Sequence, residues 1–178
     1  MKSDAALDQA AADHRETVHA VVETIRALDP STWTQSREPG KWSPAQIAEH
    51  LRIAYDPPLA ELSGGTGFAV RLPGWKRRLF RWIALPGFLR GRFPKGASAP
   101  REIRPTGQSE SPEEAGRRLG EGAEVFLARL LEAERSGPVR LTHPYFGKLS
   151  ALQIVKLLTS HARHHGAQFP EAASRTGP

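Results

Sequence analysis

Three times along this chain a serine stands three residues before Gln or Glu and ahead of an apolar stripe at helical spacing: SPAQ at Ser43, SPEE at Ser111 and SALQ at Ser150. At that spacing the two side chains satisfy each other's orphan backbone N–H groups at a helix start. Pro44 and Pro112 fall on the first helical position, where a missing N–H is tolerated. An earlier helix, about Asp4 to Leu28, carries Leu7, Ala11, His14, Val18, Val21, Val22 and Ile25 on one stripe and is stopped by Asp29-Pro30. The capped helices are expected from Ser43 to Asp56 (halted by Pro57-Pro58), from Ser111 to about Arg135, and from Ser150 to about Gly166. Gly116, Gly120 and Gly122 lower the propensity of the helix that starts at Ser111, the third in chain order, so packing must hold it. No run alternates as a strand does. The reading is all-α, and four amphipathic helices in one domain, residues 1–178, predict a four-helix bundle.

The chain has no cysteine, which excludes disulfides, thiolate-held zinc and a protein thiol nucleophile. Histidine and carboxylate remain as the strong metal ligands. No apolar run approaches the roughly 20 residues of a membrane span, and the charged N-terminus lacks a signal-peptide core. A soluble, cytoplasmic protein is the expectation.

The net charge of +6 is concentrated in one segment: from Leu62 to Arg101 there are nine Lys and Arg and no acid. Outside it, acidic residues outnumber basic ones, which argues against whole-protein nucleic-acid binding. The long connection 63–108 holds this segment and exceeds a plain loop. Within it, GWKRRLFRWIAL sets Trp75, Leu79, Trp82 and Ile83 on one helical face, with Lys76, Arg77 and Arg81 turned away. The favoured reading is a short amphipathic helix packing that apolar face on the bundle. The alternatives are contact with an anionic membrane, or a basic lid over an acidic substrate.

LTSHARHHGAQF places three of the seven histidines within five residues. At about 100° per residue, His161 and His165 fall inside the apolar arc set by Ile154 and Leu158, whereas His164 lies at its edge. A pair one turn apart can aim both rings at one point, although a fraying, wet helix end has the same spacing. His50, in WSPAQIAEHLRIAY, lies near the edge of its own apolar stripe, where a half-buried histidine bonded to a backbone carbonyl is the simpler reading; Glu49 points elsewhere. His14 sits on the first helix's stripe and reads as a core histidine or a partner behind the ligands. His19 faces solvent, and His143, before Pro144, reads as fixing a turn or standing at the rim of a site.

KWSPAQIAEHL, Lys41 to Leu51, resembles the second-helix signature of the DinB/YfiT-like superfamily, which ends in a metal-binding histidine. HPYFGKLSALQIVKLLTSHARHHGAQF resembles its C-terminal signature of a His-Pro-aromatic-Gly turn, a Ser-capped helix, and His-x-x-x-His followed by Gln. The SPEEAGRRL start of the third helix fits as well. The resemblance implies an up-down-down-up four-helix bundle with a long crossover, often dimeric. It also implies a divalent metal such as zinc or nickel on His50, His161 and His165. Characterised relatives include enzymes that use low-molecular-weight thiols as co-substrates, such as thiol S-transferases and maleylpyruvate isomerase, and the basic insert is longer than the family minimum.

Three neutral imidazoles leave metal positions open, the arrangement of a catalytic site. The function so implied is a metal-dependent transferase, isomerase or hydrolase acting on a small, anionic molecule drawn in by the insert, with any thiol external. His14 and Tyr55 are the candidate helpers. The competing reading is a bundle whose metal is structural and whose Trp75 to Phe93 surface docks a partner or an anionic membrane.

Overall fold

The computed structural model describes residues 2–36, 38–94, 99–108 and 110–169. It is mostly helical. In chain order it contains α1 (Lys2–Arg26), α2 (Pro44–Ile53), α3 (Asp56–Leu62), α4 (Gly74–Phe88), a 3-10 turn (Arg101–Ile103), α5 (Pro112–Ser136), an antiparallel hairpin of β1 (Arg140–His143) and β2 (Gly147–Ser150), and α6 (Ala151–Gly166). Helix α1 packs along both α5 and α6, and α2 packs against the same two helices. The core between them is built on Ile25, Phe126, Leu127, Leu130, Leu149 and Val155, each fully buried. Gly116 lets α1 and α5 close up: a Cβ there would lie 3.3 Å from Val22 Cγ1.

Two of the three capping boxes form in full. Ser43 and Gln46 bond reciprocally at 3.0 and 3.3 Å, as do Ser150 and Gln153 at 3.1 and 3.3 Å. At α5 only half forms: Glu114 N–H donates to Ser111 Oγ, but the Glu114 carboxylate takes Arg117 instead. Pro57 and Pro58 do not end the helical stretch as expected. Helix α2 stops at Ile53, and both prolines lie in the first turn of α3, where neither needs an N–H.

The hairpin is the second departure, since no strand was expected. Arg140 pairs with Ser150 and Leu141 with Leu149, whose side chains are both buried, while Lys148 points out. Strands of four residues are too short to show a period in sequence. Gly147 turns the chain at φ +70°, and a Cβ there would meet Arg77 at 2.9 Å. Because Ser150 both ends β2 and caps α6, the hairpin sets the start of the helix that carries the histidine cluster.

The connection 63–108 holds α4 and the 3-10 turn. It is tied down by Glu49, which accepts from the Thr106 and Gly107 amides, by the Arg71 amide donating to Pro144 O, and by Ser160 Oγ donating to Leu89 O, while the Arg71–Glu102 ion pair braces it internally. Helix α4 exists as expected, but it is turned over. Trp75, Leu79, Trp82 and Ile83 are 68%, 53%, 81% and 64% exposed. The side facing the protein carries Phe80, Ala84, Leu85 and Phe88 together with the two arginines. The Arg81 guanidinium donates to the carbonyls of Phe146 and Lys148 and to Gln153 Oε1, and the Arg77 stem lies over Gly147. The hairpin presents carbonyls toward α4, and the Arg81 guanidinium meets that demand as a tryptophan cannot.

Removing the Arg81 guanidinium is therefore expected to cost about 1–2 kcal/mol and to raise hydrogen exchange across α4. Arg78, exposed on the other side, is the control: Arg78→Ala should leave both readouts unchanged. Equal urea midpoints and exchange patterns for Arg81→Ala and Arg78→Ala would contradict this orientation.

Candidate metal centre

His50 hangs from α2, and His161 and His165 from successive turns of α6, where these helices approach each other. The three rings meet edge to face, with centroids 4.7–4.9 Å apart. One nitrogen from each lies within 4.8 Å of the others, a group that could hold a metal ion. The helical phase of His161 and His165 is thus realised, and His50 comes to them from 111 residues away. His50 also makes the carbonyl bond foreseen for it. Its Nδ1 is 2.6 Å from Ile103 O, and a carbonyl can only accept, so Nδ1 carries the proton and Nε2 is left as a lone pair.

That lone pair is 2.9 Å from His161 Nε2, an approach that needs either a proton on His161 or a cation beside the two nitrogens. His165 is oriented in the same way, its Nδ1 bonding Gln168 Oε1 at 2.9 Å. The donor set therefore fits a divalent ion: all three rings converge, and two have their second nitrogen held by an oxygen, as ligating imidazoles commonly do. Burial lowers the pKa of all three below the ordinary histidine value. The neighbouring rings lower His161 and His165 further, while the Ile103 carbonyl and Gln168 pull His50 and His165 back in part. All three are neutral at pH 7, the form that binds metal.

The cluster opens into a cavity of about 440 Å³. Trp42 forms one wall, its ring 4.7 Å from that of His50. Phe68, Phe80, Phe88 and Phe93 of the connection supply much of the remainder. Among the described residues no Asp, Glu, Lys or Arg lines it. Trp42 and the phenylalanines were missed as site residues, although Trp42 directly precedes the Ser43 cap.

His143 and His164 line the cavity as well. The His143 Nδ1 accepts from the Tyr145 and Phe146 amides, both at 3.3 Å, so its Nε2 bears the ring proton. Its ring stacks on Phe146 at 4.5 Å, and burial holds its pKa down to about 3. The turn-fixing and rim roles read from sequence coincide in this one residue. His164 is half-buried, with its ring 4.7 Å from Phe93. His19 is exposed.

His14 and Tyr55, the candidate helpers, do not line the cavity; they bond each other in the core. The Thr159 hydroxyl gives its proton to Val155 O and so accepts from His14 Nδ1. His14 Nε2 then accepts from the Tyr55 hydroxyl at 2.9 Å. Every polar atom of this fully enclosed chain is satisfied. Burial, with the charges of Arg15 and Arg163 behind it, lowers His14 to about 4.

As pH falls the unfolded chain, near the ordinary 6.5, takes this proton before the folded one. The stabilising contribution of neutral His14 is complete above about pH 6.5 and is lost between about 6.5 and 4. At about 1.4 kcal/mol per pH unit the whole effect is about 3 kcal/mol. Urea unfolding across that window should show a shallower acid-side fall for His14→Gln than for the parent chain; parallel curves would contradict the assignment.

A family model described as the DinB superfamily matches residues 13–169, a span that includes all three clustered histidines. No curated protein matches the chain, and no solved structure does. The chain belongs to the DinB superfamily.

Proposed function

We propose that this protein is a divalent-metal-dependent enzyme in which His50, His161 and His165 hold zinc or nickel with at least one position open to the cavity. Helices α1, α2, α5 and α6 are read as the up-down-down-up bundle of the family, and 63–108 as its crossover insert. The observation that carries this reading is the placement of three neutral, converging imidazoles at the base of a cavity large enough for a small molecule. A closed structural site needs no such space.

When bound, a divalent ion supplies Lewis acidity, lowering the pKa of a water or thiol at its open position. The chain supplies the rest. Ile103 O and Gln168 Oε1 hold the rings of His50 and His165 in the ligating tautomer. His143, neutral and protonated on Nε2, offers a hydrogen-bond donor from the cavity wall. His164, half-buried beside Phe93, is one cavity residue placed to exchange a proton with solvent. The aromatic walls suit an apolar substrate body. With no cysteine in the chain, thiol chemistry draws on an external low-molecular-weight thiol.

Cobalt(II) substitution tests the open position. The expected result is a d–d spectrum that changes when a small thiol is added, with a new sulfur-to-metal charge-transfer band. After chelation the helical circular dichroism should be retained. A spectrum indifferent to thiols and to apolar ligands, with a fold that collapses on chelation, would assign the ion to structure and remove the enzymatic reading.

A further inference from the structure

Helix α4 leaves one face without a partner among the described residues. Taking Trp75 as the origin at about 100° per residue, Trp82, Pro86, Leu79 and Ile83 fall within an arc about 100° wide around it. Lys76 bounds that arc on one side and Arg78 on the other, and both are exposed. The opposite side is fixed by Phe80, Ala84 and Phe88 and by the hydrogen bonds of Arg81, so α4 is a docked helix and not a loose segment. Two tryptophans at 68% and 81% exposure on a firmly held helix are an unusual outlay of apolar surface toward water.

We propose that this face of α4 docks on an anionic membrane surface, with the helix lying in the plane of the headgroups. The helix has 15 residues, and no helix among those described is long and apolar enough to cross a bilayer. Its composition suits the interface: tryptophans for the headgroup level, Leu79 and Ile83 for the acyl boundary, and cations on both flanks. From Leu62 to Arg101 the chain carries no acid, so the surface around α4 complements negative charge. The neighbouring groove mixes Leu85, Pro86 and Leu89 with Arg78, Arg90 and Lys156, the pairing of apolar and cationic groups that a phospholipid presents in reverse. A second copy is a poor occupant. A two-fold interface on this face would bring the cationic flanks of two copies together, and the segment from Leu62 to Arg101 supplies no acid to neutralise them.

Docking also has a consequence for the cavity. The inner face of the same helix gives Phe80 and Phe88 to its wall, so the cavity would lie about one helix diameter, roughly 10 Å, from the bilayer. That position suits the uptake of apolar molecules dissolved in the membrane. Docking itself does not depend on the metal, and its test leaves the metal reading untouched.

Co-sedimentation compares vesicles of pure phosphatidylcholine with vesicles of equal phosphatidylcholine and phosphatidylglycerol. The parent protein should partition at least about tenfold more strongly onto the anionic vesicles and should be released by salt. The double variant Trp75→Ser/Trp82→Ser and the double variant Lys76→Glu/Arg78→Glu should each lose about tenfold with unchanged circular dichroism, because all four side chains point outward. In parallel, brominated lipid should quench Trp75 and Trp82 but not the buried Trp33. Equal partition onto both vesicle types, or onto neither, would overturn the proposal. So would a monomer–dimer equilibrium abolished by Trp82→Ser, which would give the face to a second copy.

Discussion

Charged imidazoles cannot share a desolvated space, and the arrangement of this protein follows from keeping His50, His161 and His165 neutral. Neutrality alone would still leave each ring free to turn. The Ile103 carbonyl and Gln168 remove that freedom for His50 and His165 by taking the Nδ1 protons, which leaves the Nε2 of His50 aimed at His161. The carbonyl belongs to the 3-10 turn, so the segment joining the two halves of the chain is part of the centre. Ile103 packs with Ile53 and Ala54 of the α2 end in a small cluster of its own, which seats that carbonyl beside His50.

The helices and the histidines were legible because both obey a period. Ser43 and Ser150 mark their helix starts by side-chain chemistry that is entirely local, and the phase of His161 and His165 follows from four-residue spacing on one stripe. His50 was different: spacing placed it at the edge of a stripe, and the resemblance to a known family supplied its partners. The partners of His14 were not readable at all. Thr159 and Tyr55 meet it only when α1, α6 and the junction between α2 and α3 pack together, and the result is a closed polar triad in the core, away from the cavity.

The inverted face of α4 shows where pattern reading fails for a physical reason. An apolar arc is buried only if no other face of the helix matches the surface opposite better, and the inward face here joins Phe80 and Phe88 to Arg81. Here the hairpin presents carbonyls at Phe146 and Lys148, and Arg81 is the side chain that can satisfy them. The hairpin was itself invisible to periodicity, so the surface that decides the rotation of α4 could not be foreseen. The same rotation sends Phe80 and Phe88 inward to the cavity, which explains why a segment so basic in sequence contributes uncharged walls among the described residues.

The central claim is that His50, His161 and His165 form a single metal centre. The most direct measurement is elemental analysis of untagged protein purified without added metal, alongside His50→Ala and His161→Ala. One divalent transition-metal ion per chain in the parent, and essentially none in either folded variant, is the predicted result. A parent free of metal in repeated preparations, or variants that retain it in full, would contradict the account.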